Sequence, residues 1–320
     1  RFRSRQLQYR QRRNIDWPGK SGADRKPERT RLHCRRVKRE VPASAGSGSF
    51  LGYNMLPFCS SICYNQKNKF VFVKWESELT MDIYNAGSRV MNTYIYHTVN
   101  GYIMIDTGYE HSMKNVEKRA NKQGIAFSEI KYIFLTHAHD DHAGFLNELL
   151  SKYPELKVII SHLAMPTLLR GQNSFVGGCS SLIALIFCKF MRIVGHGNHL
   201  FPAIDKKYIN RFIEITPQNL TELENILQGK ILFTPGHTCD SISLKLGDII
   251  FCGDAAMNGI PSLRKITIWI EDKNAFQNSW NILIDEKANW IYPAHGKPFR
   301  PDNLKKNINY IRKIKLYKLK

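Results

Sequence analysis

Thr136-His137-Ala138-His139-Asp140-Asp141-His142-Ala143-Gly144 places three histidines and two aspartates within six consecutive positions. The apolar run before it, Tyr132-Ile133-Phe134-Leu135, reads as a buried strand: short, β-branched and aromatic, with turn-prone residues behind it. Beyond His142, the residues Ala143, Phe145, Leu146, Leu149 and Leu150 recur at helical spacing over 143–152. The cluster therefore falls in a loop between a strand end and a helix start. His137 and His139, two apart, can point the same way from extended backbone. Asp141 and His142 begin the turn and can aim at a second point nearby. Neutral imidazole and carboxylate suit zinc and similar first-row metals, so the loop is a candidate metal site.

The rest of the chain supplies the setting. Its 320 residues are enough for one large domain or two ordinary ones. The formal net charge of +20 is uneven. Residues 1–54 carry 15 Lys and Arg against 4 Asp and Glu, a balance of +11; the remainder has 32 against 23, or +9. The N-terminal segment, rich in Arg, Gln, Ser, Pro and Gly without periodicity, reads as disordered. A basic arm for nucleic acid or acidic membranes is its functional reading, and the disfavoured one. The chain opens on Arg rather than Met, which suggests a fragment, a processed form or a start upstream of the natural one, with Met55 and Met81 as alternative starts. Seven cysteines, an odd number, argue against a disulfide framework. With no cleavable secretory signal in view, a reducing, cytoplasmic setting is the simplest fit. The longest apolar run, Leu182 to Val194, is interrupted by Lys189 and Arg192 and is too short to cross a membrane.

Strands are expected at Phe70–Val73, Met91–Tyr96 and Gly101–Ile105, the last two forming a hairpin about Asn100-Gly101. A surface helix over 111–123 precedes the strand at 131–135, and Lys157–Ile160 is the next strand. Residues 163–210, with a Gly-rich turn and an apolar run, read as an insertion between these strands and the next. Its apolar run is expected to be buried core or a homodimer contact, with a lid over an acyl group as the alternative. His196 and His199 within it read as a solvated or hydrogen-bonded pair. Further strands are expected at 212–215, 230–233, Ser241–Leu246, Ile249–Cys252 and from Trp290, followed past Pro301 by a basic tail, 301–320, that reads as a helix. Strands alternating with helices argue for an α/β layered domain over 55–300.

The string His137-x-His139-x-Asp141-His142 resembles the signature of the metallo-β-lactamase superfamily. Three later strand ends match in order: His237 in Thr234-Pro235-Gly236-His237, Asp254 in Gly253-Asp254, and His295 in Ala294-His295-Gly296. Asp106-Thr107-Gly108 matches too, at an Asp that braces the metal loop in the family. Cys239-Asp240 stand where members frequently carry Pro-Gly. The resemblance implies a four-layer αββα sandwich and two divalent metal ions, Zn2+ foremost with Fe or Mn as alternatives. His137, His139 and His237 would hold the first ion, Asp141, His142 and His295 the second, and Asp254 would bridge them.

Such a pair of ions lowers the pKa of a bridging water and polarises a substrate oxygen, with Asp254 and Asp141 as the catalytic carboxylates. Flavodiiron oxidoreductases usually carry Glu where His139 stands, which disfavours redox chemistry. Thioester hydrolases of the glyoxalase II kind share the loop most closely, and quorum-quenching lactonases share the ligand set. The expected activity is hydrolysis of a small-molecule ester, thioester or lactone. A phosphodiesterase or nuclease of the same fold is the alternative, and a nucleic-acid-binding protein with structural metals a more distant one. Tyr208 and His199 are candidate proton sources for the leaving group.

Overall fold

The computed structural model describes residues 82–319 apart from His196, together with the backbone of two short strands, β1 (Ile62–Tyr64) and β2 (Phe70–Phe72), which pair antiparallel. The chain divides into two units, Arg1–Leu79 and Thr80–Lys320. β1 and β2 lie in the first, and the elements that follow lie in the second. The expectation of a disordered basic segment over 1–54 falls outside the described residues.

In chain order the second unit runs β3 (Ile83–Asn85), β4 (Tyr94–Thr98), β5 (Gly101–Ile105), α1 (Met113–Asn121), β6 (Ile130–Phe134), α2 (Asp140–Ala143), α3 (Leu146–Lys152), β7 (Lys157–Ser161) and α4 (Met165–Arg170). Next come β8 (Gly178–Cys179), α5 (Leu182–Ile193), β9 (Phe212–Ile215), α6 (Leu220–Leu227), β10 (Lys230–Phe233), β11 (Ile242–Leu246) and β12 (Ile249–Gly253). β13 (Trp269–Ile270), α7 (Lys273–Asp285), β14 (Trp290–Pro293) and α8 (Asp302–Lys313) complete it. One sheet has the order β3-β4-β5-β6-β7-β9 and the other β10-β11-β12-β14; β8 and β13 form a small pair of their own.

Side-chain alternation along the strands sorts the core into layers. Tyr94 and Tyr96 of β4, Ile103 and Ile105 of β5, and Phe134 of β6 face Ile242, Leu244 and Leu246 of β11 and Phe251 of β12 between the two sheets. The intervening Ile95, Met104 and Ile133 face outward onto α1, α3 and α4. On the other side Ile250, Cys252 and Ile291 face Phe276, Trp280 and Leu283 of α7 and Leu304 and Ile311 of α8. The layers are thus helix, sheet, sheet, helix, the αββα architecture expected from the sequence.

The parallel strands β5, β6 and β7 end at one edge, as do β12 and β14, also parallel. Five of the turns leaving strand ends there carry the candidate residues. Three local readings differ from the sequence expectation. The helix after the metal loop begins at Asp140 and breaks at Gly144, where a Cβ would meet Glu110 N at 2.4 Å and Gly108 O at 2.6 Å; the close approach of that loop splits the helix in two. The strand expected at Met91 begins at Tyr94, because Asn92 is drawn to the neighbouring sheet by bonds to Pro293 O (2.9 Å) and Gly296 O (2.8 Å). The apolar run in the insertion is a helix, α5, but not a buried one: Ala184 and Cys188 turn inward while Ile186 is 67% exposed and Ile193 83%. Among the described residues no helix is long and apolar enough to cross a membrane.

Candidate metal centre

His137 and His139 leave the end of β6 on extended backbone, and the two-residue spacing turns both rings to one side. His237 meets them from the other sheet. Its Nε2 lies 3.1 Å from His137 Nε2 and 3.1 Å from His139 Nδ1. Asp141 and His142 sit in the first turn of α2, and His295 Nε2 comes within 3.0 Å of Asp141 Oδ2. Asp254 stands between the two groups. Its Oδ2 is 3.7 Å from His237 Nε2, while Oδ1 is 3.7 Å from His142 Nε2 and 3.6 Å from His295 Nε2. All seven sequence-derived residues therefore converge. Among the described residues, donor atoms close enough to share an ion occur in three sets: His137, His139, His237; His137, His142, Asp254; and Asp141, His142, His295.

The buried polar atoms fit a cation. His142 Nε2 and Asp254 Oδ1 are buried, face each other and have no hydrogen-bond partner; His139 Nε2 is also buried without one. Unpaired buried polar groups are costly unless something else satisfies them, and a divalent ion between imidazole and carboxylate would.

Outside this ring of donors, a second set of contacts fixes His137, His142, His237 and His295 by their other nitrogen, while His139 has no such partner. His142 Nδ1 meets Asp106 Oδ2 at 2.8 Å, and Asp106 also accepts from Thr136 N at 2.7 Å and Thr136 Oγ1 at 2.9 Å. Asp106 adopts φ 57°, a left-handed conformation that turns its carboxylate under the loop. His237 Nδ1 lies 2.8 Å from Trp269 O, His295 Nδ1 2.5 Å from Val90 O and His137 Nδ1 3.1 Å from Thr136 Oγ1. The turn presenting His237 requires glycine at 236: φ is 132° and a Cβ would meet Phe276 N at 2.2 Å.

Charge follows this geometry. Without metal, burial and then the neighbouring histidines hold His137 and His139 well below 6.5. Burial pulls His142 and His295 the same way. It is outweighed by Asp106 and Asp141 at His142, raised to about 9, and by Asp254 and Asp141 at His295, raised to about 10. Burial would raise Asp141, but His142 and His295 hold it far below the usual carboxylate range.

Further residues reach the loop, among which Tyr109 and Asn173 were not singled out in the sequence. Asp240 Oδ2 accepts from Ala138 N at 2.9 Å, pinning the loop between its two histidines. Its signal was the departure from Pro-Gly after His237. Tyr109 Oη lies 3.5 Å from Asp141 Oδ2. Asn173 Nδ2 donates to Asp140 at 2.6 Å, and His199 Nδ1 lies 3.4 Å from the same oxygen, so the insertion reaches the loop at Asp140. Tyr208 does not reach it. That ring lies beside Arg211, which bonds Leu150 O and Leu156 O where β7 and β9 begin, at the opposite end of the sheet. Arg300 is likewise remote, stacked over Trp290 at the start of β14.

A model of the metallo-beta-lactamase superfamily matches residues 87–295, the span holding all seven side chains. The chain belongs to that superfamily. Proteins of this fold bind divalent metals, and the His and Asp donors of this chain are of a kind that could hold one. It is 35% identical over 225 residues to the uncharacterized protein YobT of Bacillus subtilis, covering 66% of this chain and 84% of that one. It is 25% identical over 209 residues to an atrochrysone carboxyl ACP thioesterase of Aspergillus chevalieri, covering 64% of this chain and 51% of that one. The chain spans about half the length of several curated relatives it matches. Among solved structures it is similar to BJP-1, a subclass B3 metallo-beta-lactamase of Bradyrhizobium japonicum, at 18% identity and TM-score 0.50 over 74% of this chain and 90% of that one, a likeness of fold.

Proposed function

We propose that this metallo-hydrolase cleaves a small ester, thioester or lactone, with His137, His139 and His237 holding one divalent ion, Asp141, His142 and His295 a second, and Asp254 spanning both. The observation that carries the reading is the split of Asp254, one carboxylate oxygen turned to His237 and the other to His142 and His295. Two bound ions, Zn2+ foremost, would supply an acidified water at neutral pH and polarise the carbonyl under attack. The chain's own part is to aim the donors and to hold protons. Asp106, Trp269 O and Val90 O fix which nitrogen of His142, His237 and His295 faces inward. Tyr109 Oη, beside Asp141, and His199, beside Asp140, are the hydroxyl and imidazole available to protonate a leaving group.

Carbonyl rather than phosphoryl substrates are supported by the charge around the donors. No Lys or Arg lies between Thr136 and Glu148 or between Ile231 and Leu244. A polyanion would lose hydration there without gaining cationic partners. The similarity to a thioesterase points the same way. The test is a panel of short acyl esters, thioesters, lactones and a bis-aryl phosphodiester, with metal content measured on the same preparation. Turnover of an acyl substrate with weak salt dependence is expected, lost in Asp254→Ala and only modestly reduced in Lys297→Ala. Cleavage of phosphodiesters alone, falling steeply with salt, would refute the substrate class; activity at well under one metal per chain would refute the mechanism.

A further inference from the structure

α5 presents to solvent what a helix normally buries. At 3.6 residues per turn, Ile183, Ile186, Phe187, Phe190 and Ile193 form one continuous stripe. All are exposed, Phe190 to 58%. The opposite face packs through Ala184 and Cys188 against Trp269 and Tyr317, so the helix is anchored with its apolar side outward. Contiguous exposed apolar surface of this kind marks a contact site.

Charge selects the occupant. Lys189 borders the stripe, exposed Arg192 lies further round the helix toward its packed face, and exposed Lys315 and Lys318 flank Tyr317, whose backbone pairs with Cys179 beneath α5. No acidic residue occurs between Glu155 and Asp205, nor after Asp302. A second copy docked by two-fold symmetry would set this cationic rim against itself. Residues 1–54, at 15 basic to 4 acidic, are no better as a cover. An apolar helix edged by Lys189, with further Lys and Arg around it and twelve residues too short to span a bilayer, suits the interface of an anionic membrane. We propose that α5 docks this protein on anionic lipid surfaces, lying in the headgroup plane with its apolar stripe in the acyl boundary.

The test is co-sedimentation of the full-length, metal-loaded protein with phosphatidylcholine vesicles and with vesicles containing phosphatidylglycerol, at low and raised salt. Binding to the anionic vesicles only, weakened by salt, is expected. Ile186→Asp with Phe190→Asp should abolish it, and Lys189→Glu with Arg192→Glu should weaken it by about tenfold or more. All four positions are exposed, and circular dichroism and Tm establish that each variant folds. Three results would overturn the proposal. One is no binding to anionic vesicles. Another is binding that survives both double substitutions, which would assign it to residues 1–54. The third is a solution dimer, dissociated by Ile186→Asp with Phe190→Asp, in a protein that ignores lipid.

Discussion

Asp106→Asn removes a charge while keeping the side chain's shape, and its effect should be confined to one side of the metal centre. In the native protein Asp106 Oδ1 accepts from Thr136 N at 2.7 Å, while Oδ2 meets Thr136 Oγ1 at 2.9 Å and His142 Nδ1 at 2.8 Å. Asparagine retains one acceptor oxygen. With that oxygen on the Thr136 amide, the new NH2 faces His142 Nδ1, and two donors cannot share the contact. His142 is driven to the tautomer that carries its proton on Nε2, the atom facing Asp141 and Asp254. Losing the carboxylate behind a metal-binding imidazole costs roughly 10- to 100-fold in affinity, or about 1.4 to 2.8 kcal/mol. Chelator-competition titration should therefore find one ion weakened by that factor and the ion held by His137, His139 and His237 little changed. Two unchanged affinities in a variant with wild-type circular dichroism would refute the role assigned to His142 Nε2.

Two further outcomes follow from the geometry. In metal-free protein His142 and His295 titrate near 9 and 10 against 6.5 unfolded, so the folded state holds extra protons between those values and stability falls as pH rises through that window. The depressed His137 and His139 act below 6.5 with the opposite sign, stability rising with pH. The Tm of chelator-treated protein should thus peak near pH 6.5 and the metal-loaded protein should lack the alkaline fall; an apo Tm flat from pH 7 to 9 would contradict this. Gly236→Ala forces a Cβ onto the Phe276 backbone at a φ of 132°, and should cost about 1 to 3 kcal/mol of stability and lower metal content, read by Tm and metal analysis; wild-type values in both would show that the turn has slack.

What the sequence made legible was the set of candidate donors that the fold brings together, and their order along the chain. Histidine and carboxylate ligands stand at strand ends, and short β-branched strands followed by glycine turns are among the strongest local signals available. The alternation of strands and helices carried the α/β class, and the four-layer order came from the family resemblance. α7 was unread although its signal is local: Asp272 caps its N-terminus and Phe276, Trp280 and Leu283 recur at helical spacing. The contacts that aim the donors were not legible. Trp269 O and Val90 O are backbone atoms that any residue would offer, and only the folded chain brings them to His237 and His295. Asn173 and Asp240 act across 33 and 102 residues, beyond the reach of any periodicity. At α5 the buried-core half of the expectation failed, because periodicity reports an apolar face without saying what covers it.

The donors reach the centre from both sheets. His137, His139, Asp141 and His142 follow β6 of the six-stranded sheet, whereas His237, Asp254 and His295 follow strands of the four-stranded one. An ion held there is therefore a clasp across the sandwich as well as a reagent, closing loops of roughly a hundred residues or more that nothing covalent closes among the described residues. Metal supply and resistance to unfolding are then one variable. A cell short of metal would then lose the protein to proteolysis of a loosened sandwich.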